Sequence, residues 1–186
     1  MMDAAAPRVS QWTVALDRHE YVSTAGFDEI HAAVLAGLGR PDFAAFVERI
    51  DAIGNWDDFK AAVEAQAGSS GLLVFLELDI GSVIVRDPAA AAYRSVRIIA
   101  GNPVTMESMT RTTPGAAAFA PVTILVFEAA DGVHLRYDTI TSAEGGELSA
   151  EAAAIAQHLD EAVLTLLADA AGTVPIALRS EDGRSQ

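Results

Sequence analysis

Residues 120–140 read APVTILVFEAADGVHLRYDTI. Two apolar runs flank Asp131-Gly132, the strongest turn signal in the chain, and the pair reads as a β-hairpin. On the second run His134 falls opposite Val133, Leu135 and Tyr137, beside Arg136 on its own face. Upstream, YRSVRIIA (93–100) and GLLVFLELDIG (71–81) read as two further strands. At the end of the latter, Leu76, Leu78 and Ile80 share one face while Glu77 and Asp79 take the other. Four sequential strands joined by short or modest links favour an antiparallel meander.

Outside this block the pattern is helical, except at the start. QWTVALDRHEYV (11–22) alternates, with Trp12, Val14 and Leu16 on one face, and predicts a first strand. Ser23 or Thr24 is the expected cap of a helix carrying Phe27, Ile30, Val34 and Leu38, ended by Gly39 and Pro41. A helical insert over about 42–68 holds two short helices. One has the stripe Phe43, Phe46, Val47, Ile50 and Ile53; the other has Asn55 as N-cap and Trp56, Phe59 and Val63 on one face. GSSG (68–71) precedes a strand, so it reads as a turn rather than a phosphate cradle. The last element is capped by Ser149 and carries Ala152, Ile155, Leu159, Ala162, Val163, Leu166 and Ala170 as a broad apolar stripe. A stripe that wide belongs on a sheet. The expected fold is α+β: a two-layer domain with an antiparallel five-stranded sheet and a long C-terminal helix on one face. The order is β-α-β-β-β-β-α, with the insert after the first helix. One domain over 10–178 is expected between an N-terminal tail (1–9) and a C-terminal tail (179–186).

Composition narrows the roles. The chain has 186 residues, a net charge of −14, one lysine (Lys60) and no cysteine. Such acidity repels phosphate backbones and anionic bilayers, so neither nucleic acid nor membrane is an expected partner. Without cysteine there are no disulfides, thiol nucleophiles or thiolate metal sites. The opening MMDAAAPRVSQW has no apolar h-region, and no apolar run reaches a membrane span. The expected compartment is the cytoplasm.

The candidate site residues divide into three groups. Glu77 and Asp79, two apart on a strand, can share a proton or hold a cation. Their ordinary reading is an exposed pair facing Arg97 or Arg136 on neighbouring strands. His134 is the third catalytic candidate. The histidines His19, His31, His134 and His158 have no ligand spacing on a helix, so no metal is expected; His31 and His158 read as solvated helix positions. No Walker, Gly-x-Gly-x-x-Gly or Gly-x-Ser-x-Gly motif occurs, and no cofactor is expected. AGNPVTMESM (100–109) is the third group. Gly101, Asn102 and Pro103 are turn residues that read as a stiff strand-end corner. In the functional version Asn102 rims a pocket with Met106 and Met109 as an adaptable lip.

The order of AGFDEIHAAVLAGLG, ELDIG, IIAGNP and SMTRTTPGAAAFAPVTILVFEAADGVHLRY resembles the family catalogued as domain of unknown function 302, with a TBP-like or helix-grip architecture. The likeness spans roughly Gln11 to Ile140. It departs where Ile80 follows Asp79, a place where the family often has His, and where the Gly a few residues past Gly-Asn-Pro is absent. The resemblance implies the fold and a homodimer, and no established reaction.

The expected function is therefore a small-ligand-binding or homodimeric accessory protein. A small apolar or anionic ligand would sit between helix and sheet, lined by Val96, Ile98, Ile124, Leu135, Tyr137, Ile155 and Leu159. The first alternative is an enzyme with Glu77 or Asp79 as acid/base and Arg97, Asn102 or His134 holding an anionic substrate. The second is a protein–protein interaction module.

Overall fold

The computed structural model describes residues 9–175. Apart from Val9, the expected tails lie outside the described residues. Five strands form one antiparallel sheet: β1 (Arg18–Ser23), β2 (Leu73–Asp79), β3 (Ser95–Gly101), β4 (Val122–Ala129) and β5 (Gly132–Asp138), in the spatial order β1-β5-β4-β3-β2. The helices are α1 (Phe27–Ala36), α2 (Phe43–Asp51), α3 (Trp56–Glu64), α4 (Gly81–Ile84), α5 (Pro103–Thr110), α6 (Ile140–Ala143) and α7 (Ala150–Ala171). A 3-10 turn covers Pro114–Ala118. This is the α+β meander and long final helix that the sequence predicts. The first strand lies beside the last.

The register follows from the hairpin. Ala129 pairs with Gly132 across the turn, which sets Ile124 opposite Tyr137 and Val126 opposite Leu135. Ile98 in turn pairs with Ile124. These residues share one face of the pleat, and together with Phe27, Ile30 and Val34 of α1 and Ala156, Leu159, Val163 and Leu167 of α7 they form the buried core. Each fully buried Leu, Ile or Val there contributes about 1.5–3 kcal/mol. A second, smaller core joins Phe46 and Val63 of the helical insert to Leu73 at the start of β2. Phe75 packs against it where the β2–β3 register shifts between Val74 and Leu76. Two glycines make the preceding turn. Gly71, at φ +77°, donates its N–H to the Gly68 carbonyl, and a Cβ on Gly68 would lie 2.4 Å from the Gly37 carbonyl oxygen.

Several local expectations are corrected. The first strand begins at Arg18, not Gln11; Trp12 and Leu16 are exposed, and the segment before β1 is irregular. Its alternation had no neighbouring strand to pair with, because β5 ends opposite Arg18. Neither Ser23 nor Thr24 caps α1: the N-cap is Gly26, and no side chain bonds that end. The Gly-Asn-Pro corner leads directly into α5. Asn102 Oδ1 accepts from the N–H groups of Val104 (2.9 Å) and Thr105 (3.4 Å), with Pro103 at the first helical position. The stiff corner is a helix cap.

The feature that joins helix layer to sheet is a buried carboxyl that the apolar stripe of α7 conceals. Asp160 is fully buried. It accepts from the Tyr137 hydroxyl, from the N–H groups of Ile140 (2.9 Å) and Thr141 (3.1 Å), and from the Thr141 hydroxyl (2.8 Å). One side chain of α7 thus satisfies orphan donors at the start of α6 and binds the end of β5. Burial, then the neighbouring Asp160, holds the Tyr137 phenol protonated, far above its usual range. Glu144, just past α6, is the opposite case. It is buried, and its Oε1 has no hydrogen-bond partner among the described residues. Burial and then Glu147 push its carboxyl above the usual range.

Asp160→Ala is expected to lower the unfolding free energy by about 3–5 kcal/mol, because it strands several buried donors. Tyr137→Phe is expected to cost about 1–2 kcal/mol. Urea unfolding measures both, and a loss for Asp160→Ala no larger than that for Tyr137→Phe would show that the donors find other acceptors.

Candidate functional site

The pleat sends the candidate residues to different places. Glu77 pairs with Ile98 and Asp79 with Val96, so both stand on the face covered by α1 and α7. Arg97 pairs with Leu78 and Leu125, and Leu125 with Arg136, so both arginines stand on the opposite face. The cross-strand pairing of Glu77 and Asp79 with Arg97 or Arg136 is therefore corrected. Glu77 instead meets His31 of α1 at 2.9 Å and Arg40 at 3.9 Å. His31 is thus a bonded residue, not the solvated helix position the sequence suggests. Asp79 Oδ1 accepts from the Ser82 N–H at 2.9 Å and starts α4.

His134 lies on the face of Arg136, as the alternation predicts, and is nonetheless buried. Its ring stacks on Phe127, 4.8 Å between centroids, and bonds Glu20 and Asp131, each at 2.9 Å. Arg136 also bonds Glu20, and Arg18 pairs with Asp138 at 2.7 Å. These residues form an ion-pair ladder over β1 and β5. The bonds to Asp131 and then Glu20 raise the His134 pKa. Burial alone would raise Glu20, but the bonds from Arg136 and His134 outweigh it and the net shift is downward.

The methionine lip and the interlayer pocket take other forms. Met109 is fully buried in the main core, and Met106 packs against it, partly buried. Asn102 uses its oxygen as the α5 cap and its amide nitrogen on the Gly71 carbonyl at 2.9 Å. Ile98, Ile124, Leu135 and Tyr137 are packed core. The structure therefore does not bring Glu77, Asp79, Arg97, Asn102 and His134 into one concavity.

The concavity lies elsewhere, at the end of the sheet where β3 begins and β4 ends. A cavity of about 270 Å³ has Phe27, Asp79, Ser82, Tyr93, Arg94 and Glu128 among its walls. A second, more open one of about 560 Å³ adjoins it through Phe27, Ala92, Tyr93 and Glu128, and continues past Ala25 and Ala129. The uncapped N-terminus of α1 opens into this space, and nothing lies within 4 Å of a Cβ placed on Gly26.

Antiparallel pairing builds the charged wall. Ser95 faces Phe127, so Arg94 and Glu128 stand just past that pair. The Arg94 N–H donates to Glu128 Oε2 at 3.0 Å, and the Glu128 N–H donates to the Arg94 carbonyl at 2.9 Å. The Arg94 guanidinium then reaches α1. Its Cζ lies 4.2 Å from the Phe27 ring centroid and its Nη2 bonds Asp28. The Arg94 bond pulls Asp28 below the usual carboxylate range. Arg94 itself is raised, first by Asp28, with smaller contributions from Glu128 and Asp79. Of the predicted residues only Asp79 and Val96 reach this cleft. Sequence reading missed Arg94, Glu128 and Tyr93. The signal present was a pair of opposite charges at the facing ends of two strands predicted to be neighbours. No group of three or more His, Asp or Glu able to hold a metal ion occurs among the described residues.

A family model, Domain of unknown function DUF302, matches residues 48–166, more than half of the chain. Among solved structures the fold is similar to that of an uncharacterized conserved DUF302 protein from Bacillus stearothermophilus. That match has a TM-score of 0.57 and 10% identity, and covers 83% of this chain and 97% of the other. At that identity the likeness concerns the fold. No curated protein matches the chain.

The raised pKa of His134 gives a pH prediction. Its protonated pairing contributes stability in full below the ordinary value of 6.5, and that contribution is lost as pH rises through the higher folded value. Across about pH 6 to 9, wild type should therefore lose more stability than His134→Gln. Parallel urea titrations check this, and identical pH slopes would show that the pair adds nothing.

Proposed function

This chain belongs to the DUF302 family of domains of unknown function, and we propose that within it the chain is a small-ligand-binding protein whose ligand occupies the cleft between α1, α4 and the β3–β4 strand ends. The observation that carries this reading is the pair of adjoining cavities sharing Phe27, Ala92, Tyr93 and Glu128. Concave sites with apolar walls and a few convergent polar groups are the usual form of a small-molecule site. Acid–base catalysis by Glu77 or Asp79 lacks comparable support. Glu77 is engaged by His31 and Arg40, and Asp79 by Ser82. A cytoplasmic setting agrees with an acidic chain that has no cysteine.

A second reading makes the protein a homodimer. It is favoured by the sheet face turned away from α1 and α7. On that face Leu76 and Leu78 are exposed, Ile99, Leu125 and Phe127 are half-buried, and the exposed Arg97 stands among them. Contiguous apolar side chains on a surface mark interaction sites. The charged ladder on β1 and β5 borders this patch and would fix the register of two copies.

A small-fragment screen by ¹H–¹⁵N NMR tests the first reading. Fragments should shift amide signals near Phe27, Tyr93 and Glu128, and Ala92→Trp, by filling the shared wall, should abolish those shifts. Scattered shifts that survive Ala92→Trp would overturn it. Sedimentation tests the second: wild type should be a dimer and Leu78→Glu a monomer, whereas a monomeric wild type would remove it.

A further inference from the structure

We propose that the cleft is a seat for an organic cation, a guanidinium or primary ammonium carried on a short apolar stem. This rests on the reading of the cleft as a ligand site and names the chemical class that fits it. The first observation is that the cleft already holds such a group from the chain itself. The Arg94 guanidinium lies over the Phe27 ring, 4.2 Å from Cζ to the centroid, and its Nη2 donates to Asp28. A ring face and a carboxyl are the two partners that a planar cation takes best.

The second observation is an excess of acceptors. The Arg94 guanidinium pairs with Asp28 beside the cavity, while Asp79 and Glu128 line the cavity, each accepting one backbone N–H (from Ser82 and from Arg94) and acting on the guanidinium only at longer range. Arg94 is the one cation on the cavity walls among the described residues. The walls thus carry two carboxyls and one guanidinium that is already paired with Asp28 beside them, so an entering anion meets net negative walls. The third observation is the shape of the adjoining space. Ala25, Ala92, Ala129, Ala130 and Val133 give part of the larger cavity short apolar side chains, which leave room for a stem. A cation at the Asp79–Glu128 end and a stem along the alanines would place one ligand across both cavities.

Arg94 is then both template and competitor. While its guanidinium lies on Phe27, that ring face is closed to an outside cation. Removing the side chain opens the ring and frees Asp28. The backbone bonds between Arg94 and Glu128 do not depend on the side chain.

The test titrates the full chain at low ionic strength with butylguanidinium, butyrate and 1-butanol, following amide shifts around the cleft. Butylguanidinium should bind most tightly, should weaken as salt is added, and should weaken in Glu128→Gln. Arg94→Ala should tighten it by about 3- to 10-fold, the opposite of what a purely structural arginine would give. Because Glu128 also receives the Arg94 N–H, Asp79→Asn repeats the charge test at a second wall position if Glu128→Gln disturbs folding. Butyrate or butanol binding as tightly as butylguanidinium would overturn the cation assignment and leave the ligand site standing. No cleft shift with any of the three would overturn both.

Discussion

The face that each strand side chain reaches is set by the register fixed at the β4–β5 turn. In a pleated sheet the side-chain period is two, so a slip of one residue would turn every core residue outward. Ala129 opposite Gly132 places Val126 and Leu135 together under the helices, and places Phe127 and His134 together on the other side. The same pairing, carried one strand further, sets Ser95 against Phe127 and brings Arg94 to the side of Glu128. The core, the ion-pair ladder and the charged wall of the cleft are three consequences of one alignment.

Two faces of one sheet thus acquire different chemistry. Under α1 and α7 the residues are apolar and close-packed, and the carboxyl of Asp160, buried against them, is surrounded by donors. An unpaired buried charge would cost several kcal/mol, about what a small domain can least spare. The network avoids that cost and holds α6, α7 and β5 in one arrangement. On the far face the strands carry bonded ions at β1 and β5, apolar side chains at β2 and β4, and Ile99 with Arg97 at β3. The cleft lies where the helix-covered face ends. There α1 begins without a side-chain cap, and α4 approaches β3 so closely that a Cβ on Gly81 would stand 2.9 Å from the Ser95 nitrogen.

Much of the fold was legible because periodicity and capping are local. Asp131-Gly132, Asn55 and Ser149 each announced the element they begin or join, and the structure uses them so. The first strand was overread because alternation over residues 11–22 says nothing about whether a partner strand is long enough to meet it. The corner at Asn102 was read correctly as stiff but not as a helix cap, since Gly-Asn-Pro suits a turn and an N-cap equally. The site was least legible. Glu77 and Asp79 stood out as paired carboxylates, yet their partners come from α1 and α4, elements whose approach no spacing within β2 encodes.

By itself, then, the sequence determined the class of fold, the order of its elements and the alternation of faces, because these depend on neighbours a few residues apart. It also determined an acidic chain without thiol chemistry. Only the tertiary structure decided which charges meet. Arg94 and Asp28 are 66 positions apart, Glu20 and His134 are 114 apart, and Tyr137 and Asp160 come from a strand and a helix that touch only in the folded chain. Such contacts are set by how layers stack, and the free energy of stacking belongs to the whole core rather than to any segment of the chain.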